Sequence, residues 1–284
     1  MIDFGIVDTH VHVWDVSKLS YPWLVDVPFL NKTFNLDDYR KACGGIRVEK
    51  MVFVQCECDP VQHWDELVWI TELAKKAEPR LKGIVPWAPL ELGPGAEEEL
   101  AKMAKNPLVK GIRRIIQFEP DMEFCLKPDF IAGVKLLPKY GFSFDVCIDR
   151  RHNQNTLKFM EKIPEVNCIL DHIGKPDIKG GRLDPWRSEI RELAKFPNLY
   201  CKVSSLATEA DHKNWTVDQL SPYVECIFEN FGFDRTVFAG DWPVSSQAAS
   251  YETCVETTVK LAKGAGREDL IKLFRTNAEK FYRV

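Results

Sequence analysis

Near the start of the chain, in the run "IVDTHVHVWD", Asp8, His10 and His12 recur at every second position. A β-strand turns alternate side chains to one face. The spacing therefore predicts Asp8, His10 and His12 on one face, with Val7, Thr9, Val11 and Val13 on the other. Two imidazoles beside a carboxylate can hold a divalent cation, or they can orient a water or a carbonyl. A second carboxylate, Asp241, follows the apolar run "TVFAG" and precedes Trp242 and Pro243, where a strand must stop. A partly desolvated carboxylate near histidines is a candidate general base, the group that takes a proton from an attacking water.

Eight short β-branched or apolar runs are available to position such groups, at 5–11, 50–56, 82–88, 109–115, 142–148, 167–173, 199–205 and 236–242. Amphipathic patterns at 64–77, 95–106, 156–163, 185–196, 217–232, 251–266 and 267–282 separate most of them and close the chain. Strand and helix in alternation imply a parallel sheet covered by helices. Eight units in this length predict an α/β fold of the (β/α)8 barrel type, with the chain as one domain over 1–284. No G-x-G-x-x-G follows the first strand, which argues against an open dinucleotide-binding sheet. Residues 14–36, rich in aromatics and prolines, read as a loop insertion at the catalytic mouth.

In such a barrel, polar residues at the C-terminal strand ends are where chemistry is expected. They are His10 and His12, Arg113 and Arg114, Asp149 to His152, Asp171, His172 and Lys175, Lys202, Ser204 and Ser205, and Asp241. His152 lies in a polar stretch and is expected to be solvated, and His63 and His212 are given no role.

The bulk properties exclude several classes. A hydrophobic fraction of 45% and a charged fraction of 28% are those of a globular protein, and a net charge of −4 offers no footprint for a nucleic acid. No apolar run is long enough to span a membrane, and the start of the chain lacks the pattern of a signal peptide. The nine cysteines are odd in number and scattered, with Cys147, Cys168 and Cys201 in apolar runs, so a reducing cytoplasm is expected.

The runs "VDTHVHVWD…YPWL", "GIRRIIQ", "LDHIGKPDI", "YCKVSSL" and "FAGDWPV" resemble, in this order, the amidohydrolase superfamily. More closely they resemble its amidohydrolase-2 group, the lactonase branch that includes L-fuconolactonase and pyrone dicarboxylate lactonase. The resemblance implies a (β/α)8 barrel in which His10 and His12, Arg113, His172 and Asp241 match the family's strand-end residues. It implies a hydrolase that opens a sugar-derived lactone, with Asp241 activating water and His172 and Arg113 stabilising the oxyanion. Trp23, Arg114, Arg150, Lys175, Lys202 and Trp242 are the expected substrate-binding residues, with Trp14 as a further aromatic. Strand four offers arginine and strand five no ligand histidine, so at most one divalent ion is expected, zinc first, on His10, His12 and Asp241; the alternative is no metal. An aldonolactone is the preferred substrate. An aldaric or dicarboxylic lactone, a metal-dependent decarboxylase or hydratase, and a non-catalytic sugar-binding barrel are the other readings.

Overall fold

The computed structural model describes residues 2–284. Its parallel strands are β1 (Ile6–Val11), β2 (Val48–Val54), β3 (Leu81–Val85), β4 (Gly111–Ile112), β5 (Ser143–Val146), β6 (Cys168–Leu170), β7 (Leu199–Val203) and β8 (Thr236–Phe238). Hydrogen bonding divides them into β1-β2-β3 and β4-β5-β6-β7-β8, and two seams join the sets. At one seam the Ile84 N–H donates to the Leu108 carbonyl at 2.7 Å and the Lys110 N–H to the Ile84 carbonyl at 3.0 Å. At the other the Asp241 N–H donates to the His10 carbonyl and the His12 N–H to the Trp242 carbonyl, both at 2.8 Å. The second seam ties the two ends of the sheet together, so the eight strands close into a (β/α)8 barrel. All eight predicted strands are present, each within the apolar run that announced it or shifted by one or two residues.

The helices are α1 (Leu36–Cys43), α2 (His63–Lys76), α3 (Glu97–Met103), α4 (Pro128–Lys135), α5 (Asn153–Met160), α6 (Trp186–Leu193), α7 (Val217–Phe231), α8 (Tyr251–Leu261), α9 (Arg267–Ile271) and α10 (Asn277–Tyr282). In α6 the buried residues Trp186, Ile190 and Leu193 recur at helical spacing and form the stripe that packs inward. The sequence reading did not anticipate α1 and α4. A capping box starts α1, with the Asn35 side chain accepting from the Asp38 N–H and the Asp38 side chain from the Asn35 N–H. Among the described residues no helix is long and apolar enough to cross a membrane.

Inside the barrel, Val7, Val52, Val54, Val85, Ile169 and Val237 form an apolar layer, against which Ala278, Phe281 and Tyr282 of α10 pack. Strict alternation along β1 would send Asp8, His10 and His12 to the face opposite Val7. Instead the pairing with β2 slips between Asp8 and Val11. Asp8 therefore does not share a face with the two histidines. It turns to the helix layer, where its carboxylate accepts from the Tyr39 hydroxyl of α1 at 2.9 Å and the Tyr251 hydroxyl of α8 at 2.8 Å. It also accepts from the Gly240 N–H at 2.8 Å and the His10 N–H at 3.1 Å, which locks β1 to the end of β8. A Cβ on Gly240 would fall 2.4 Å from Asp8 Oδ2, so only glycine admits this approach.

Two stability predictions follow from these buried acids. Asp8→Ala strands two N–H groups and two hydroxyls in the core and is expected to cost on the order of 3 kcal/mol, read from the urea midpoint. An unchanged midpoint would show that the tyrosines find other partners.

Glu66, on the inner face of α2, is 2% exposed, and its carboxylate accepts from the Cys56 N–H at 3.2 Å. Burial pushes its carboxyl up to about 8. An unfolded glutamate ionises near pH 4.3, so between there and pH 8 the unfolded state releases the proton first and stability falls as pH rises. Glu66→Gln removes that penalty. Its gain in Tm over the parent is expected to be small at pH 5 and several degrees at pH 8; an equal gain at both pH values would contradict the burial of an ionisable acid.

Candidate active site

The slip in β1 points His10 and His12 into the barrel at its C-terminal end. There the two Nε2 atoms stand 3.0 Å apart. His12 Nδ1 is 2.7 Å from the Val54 carbonyl, which accepts its proton and leaves Nε2 with a free lone pair. Asp241 arrives from the end of β8 with a left-handed backbone (φ 50°). Its Oδ1 lies 3.4 Å from His12 Nε2, 3.7 Å from His10 Nε2 and 3.9 Å from His172 Nε2. The Ser205 hydroxyl donates to Asp241 Oδ2. His172 sits in a left-handed turn after β6, with φ positive at His172, Ile173, Gly174 and Lys175, and its Nδ1 is 2.8 Å from Ser204 Oγ.

Burial works to raise the Asp241 carboxyl, but the imidazoles of His172, His12 and His10 overcome it and hold the group well below the usual carboxylate range. Burial lowers all three histidines, His172 to about 4.

Beneath it lies a closed set of charges. Lys202 Nζ is 2.6 Å from Asp145 and 2.9 Å from Asp171, and all three side chains are fully buried. The Tyr282 hydroxyl donates to Asp145 at 2.8 Å. Arg113 donates through Nη2 to the Gln55 carbonyl at 2.5 Å and lies 3.4 Å from Asp171 through Nη1. Its Nε–H has no partner among the described residues. Burial works against the Lys202 ammonium, but Asp145 and Asp171 raise it above its usual range, so it stays charged.

Above the cluster is a cavity of about 130 Å³. Its walls include His12, Arg113, His172 and Asp241, with Trp14, Trp23, Ile115 and Phe118 as the apolar faces and Glu57, Gln117 and Lys175 as further polar groups. The insertion at 14–36 contributes Trp14 and Trp23, braced edge to face at 5.6 Å. Lys175 reaches Gln117 Oε1 at 2.6 Å.

Four expected substrate contacts are placed elsewhere. Lys202 lies under the histidines, beyond reach of the cavity, because two buried aspartates need its charge. Arg114 follows Arg113 on the opposite side of the strand end, where Glu91 and Glu119 hold it. Arg150 is exposed and does not line the cavity. Trp242 packs its ring on Phe34 and Tyr39, at 5.6 and 5.4 Å. His152 is fully buried against Asp149 rather than solvated. The reading missed Glu57 and Gln117. Glu57 stands just past the end of β2, a polar residue at a strand end like those already chosen.

The donor set also suits a metal. Zinc held at 2.0–2.1 Å by a tetrahedral set requires its ligand atoms to stand about 3.3 Å apart. The separations among His10 Nε2, His12 Nε2 and Asp241 Oδ1 are 3.0, 3.4 and 3.7 Å. Three protein ligands leave one position open, as catalytic sites do. Asp171 Oδ1, 3.6 Å from His10 Nδ1, is the acceptor that a ligating His10 would use to fix its tautomer.

Comparison with known proteins agrees with this architecture. The chain is 26% identical to the L-fucono-1,5-lactonase of Burkholderia ambifaria, over 98% of its own length and 95% of the relative's. It is 30% identical to the L-fucono-1,5-lactonase of Burkholderia multivorans, over 87% and 84%. A solved amidohydrolase structure from Burkholderia multivorans, with bound zinc, superposes with a TM-score of 0.88 at 26% identity, covering 99% of this chain and 100% of that one. Residues 7–284 match the family model described as amidohydrolase, and the chain belongs to the amidohydrolase family.

Proposed function

We propose that this chain hydrolyses the lactone of a neutral sugar acid to the open-chain acid. The observation that carries the reading is Asp241, a buried carboxylate with three imidazoles within 4 Å at the floor of an aromatic-walled cavity. The relatives named for L-fucono-1,5-lactone support the substrate class.

A water beside Asp241 Oδ1 gives up its proton to that oxygen as its own oxygen bonds to the lactone carbonyl carbon. The negative charge passes to the carbonyl oxygen. The Nε2–H of His172, whose Nδ1 faces the Ser204 hydroxyl, can donate there, and the Arg113 guanidinium in the cavity wall adds its positive charge. A preorganised donor of this kind contributes on the order of 3 kcal/mol. Collapse breaks the bond between the carbonyl carbon and the ring oxygen, and the proton on Asp241 passes to that oxygen. A zinc ion on His10, His12 and Asp241 would supply Lewis-acid polarisation at this point; a relative's structure that holds zinc is in keeping with a metal in this fold.

The charges favour a neutral substrate over an aldaric one. A second carboxylate would need cations in excess of the acids around it. Lys202 and Arg113 are compensated by Asp145 and Asp171, Arg114 by two glutamates, and Arg150 lies outside; Lys175, the cavity cation left over among the described residues, shares the cavity with the Glu57 and Asp241 carboxylates, so the lining carries no excess positive charge.

Three measurements test this reading. A pH-indicator assay over aldono- and aldaro-lactones should find turnover among the neutral members, and no turnover of any lactone would sink the proposal. Asp241→Asn should lower kcat by about 10³-fold with a much smaller change in KM, the scale of a lost general base. Full activity in that variant would remove Asp241 from the role. Zinc added to chelator-treated protein should bind at about one equivalent, and His12→Ala should bind far less. Equal uptake by the two proteins would place the metal elsewhere.

A further inference from the structure

We propose that Glu57 is the specificity-determining residue of the cavity: it accepts a hydrogen bond from a ring hydroxyl of the lactone and repels any substrate that carries a carboxylate in that place. The inference rests on the lactonase reading and names the group that selects within it.

Glu57 has no part in the water-activating cluster, yet it lines the same cavity as Asp241, His172 and Arg113. It is held there by a local device. The Glu57 N–H donates to Gln55 Oε1 at 2.6 Å, and Gln55 Nε2 donates back to Glu57 Oε1 at 2.6 Å. Gln55 is itself 1% exposed. The backbone at Glu57 is left-handed (φ 51°), a conformation that costs a non-glycine residue about 1 kcal/mol or more. Six of the seven non-glycine residues with positive φ among the described residues are Glu57, His172, Ile173, Lys175, Ser205 and Asp241. Glu57 thus belongs to a group whose other members hold or flank the reacting cluster.

The clamp engages one carboxylate oxygen and leaves the other. Glu57 Oε2 takes no protein donor, and no cation stands within ion-pair distance of Glu57 among the described residues. A lactone hydroxyl satisfies such an oxygen, because a hydroxyl donates. A carboxylate on the substrate cannot donate, and it would bring a second negative charge against the first in a partly desolvated site. In the same cavity Lys175 and Gln117 offer donors for hydroxyl oxygens, and Trp23, braced by the buried Trp14, covers the apolar face of a ring. The chemistry selected is a polyhydroxylated lactone without a second acid group.

The test compares kcat/KM for L-fucono-1,5-lactone and D-glucaro-1,4-lactone in the parent, Glu57→Gln and Glu57→Asp proteins. The parent's preference for the neutral lactone should shrink at least about 10-fold in Glu57→Gln, the scale of one hydrogen bond to a charged group, chiefly through KM. In Glu57→Asp, which keeps the charge but shortens the reach, KM for the neutral lactone should rise while the acidic one stays excluded. An unchanged preference in both variants would overturn the assignment and leave the lactonase reading intact. Calorimetry separates the two ideas. Binding of a neutral anhydrohexitol should weaken in Glu57→Gln, and binding of the corresponding anhydrohexonate should strengthen. If no lactone is turned over but these shifts occur, the reaction is wrong and the role of Glu57 stands; if neither shift occurs, Glu57 has no such role.

Discussion

The structure depends on a balance of charge in one buried layer. An eight-stranded barrel has room inside only for side chains, and here the layer above the valines holds Lys202, Asp145, Asp171 and Arg113. Each charge alone would cost several kcal/mol to bury. Two cations against two anions make the layer neutral, and the Tyr282 hydroxyl and the Gln55 carbonyl take up donors and acceptors left over. The last helix therefore does more than stop the barrel's lower end, since Tyr282 completes the layer on which the histidines stand. His10 lies directly on it, with Lys202 Nζ 3.1 Å from Nδ1 and Arg113 Nη1 3.1 Å from Nε2.

Above that layer the backbone is bent to aim side chains. A strand end leaves its last residues pointing along the barrel wall. The left-handed residues at Glu57, His172, Ser205 and Asp241 turn the chain so that their side chains converge near the axis. Such residues store strain that regular structure elsewhere must over-determine. Part of that support is the seam between β1 and β8, where the Asp241 N–H meets the His10 carbonyl and the Asp8 carboxylate holds Gly240. One seam both closes the barrel and sets the distance between the carboxylate and the first two imidazoles.

The sequence made the barrel legible because parallel strands are buried on both faces and read as short apolar runs, whereas α1 (LDDYRKAC) is mostly polar and α4 (PDFIAGVK) is interrupted by proline and glycine, so neither short helix shows a clear apolar stripe. The site was legible where residue type sufficed, as for His10, His12, His172 and Asp241. It was not legible where depth or partnership decided. Alternation marks Lys202 as facing into the barrel but cannot say that it lies beneath the site with two aspartates around it. It misplaces Asp8, because a slip in pairing resets the period. Trp242 is adjacent to Asp241 in sequence, but one residue of offset turns its ring into the aromatic packing of Phe34 and Tyr39. Glu57 follows the apolar run 50–56 as a polar residue at a strand end, but the left-handed backbone that sets its direction leaves no mark in the sequence.

The two cavity carboxylates show how environment assigns work to identical chemistry. Asp241 is fully surrounded, with three imidazoles over one oxygen and the Ser205 hydroxyl on the other, so its charge is held where a proton must be received and passed on. Glu57 is half-buried and lines the cavity, with one oxygen clamped by Gln55 and the other without a protein donor among the described residues. Glu57 makes no hydrogen bond to the imidazoles, and its side-chain partner is Gln55, yet it lines the cavity in which a ring would bind. The first carboxylate needs a fixed geometry at the reacting carbon, and the second needs only a fixed sign of charge at the periphery. Substrate choice can therefore change by substitution at position 57 without disturbing the layer that places the histidines.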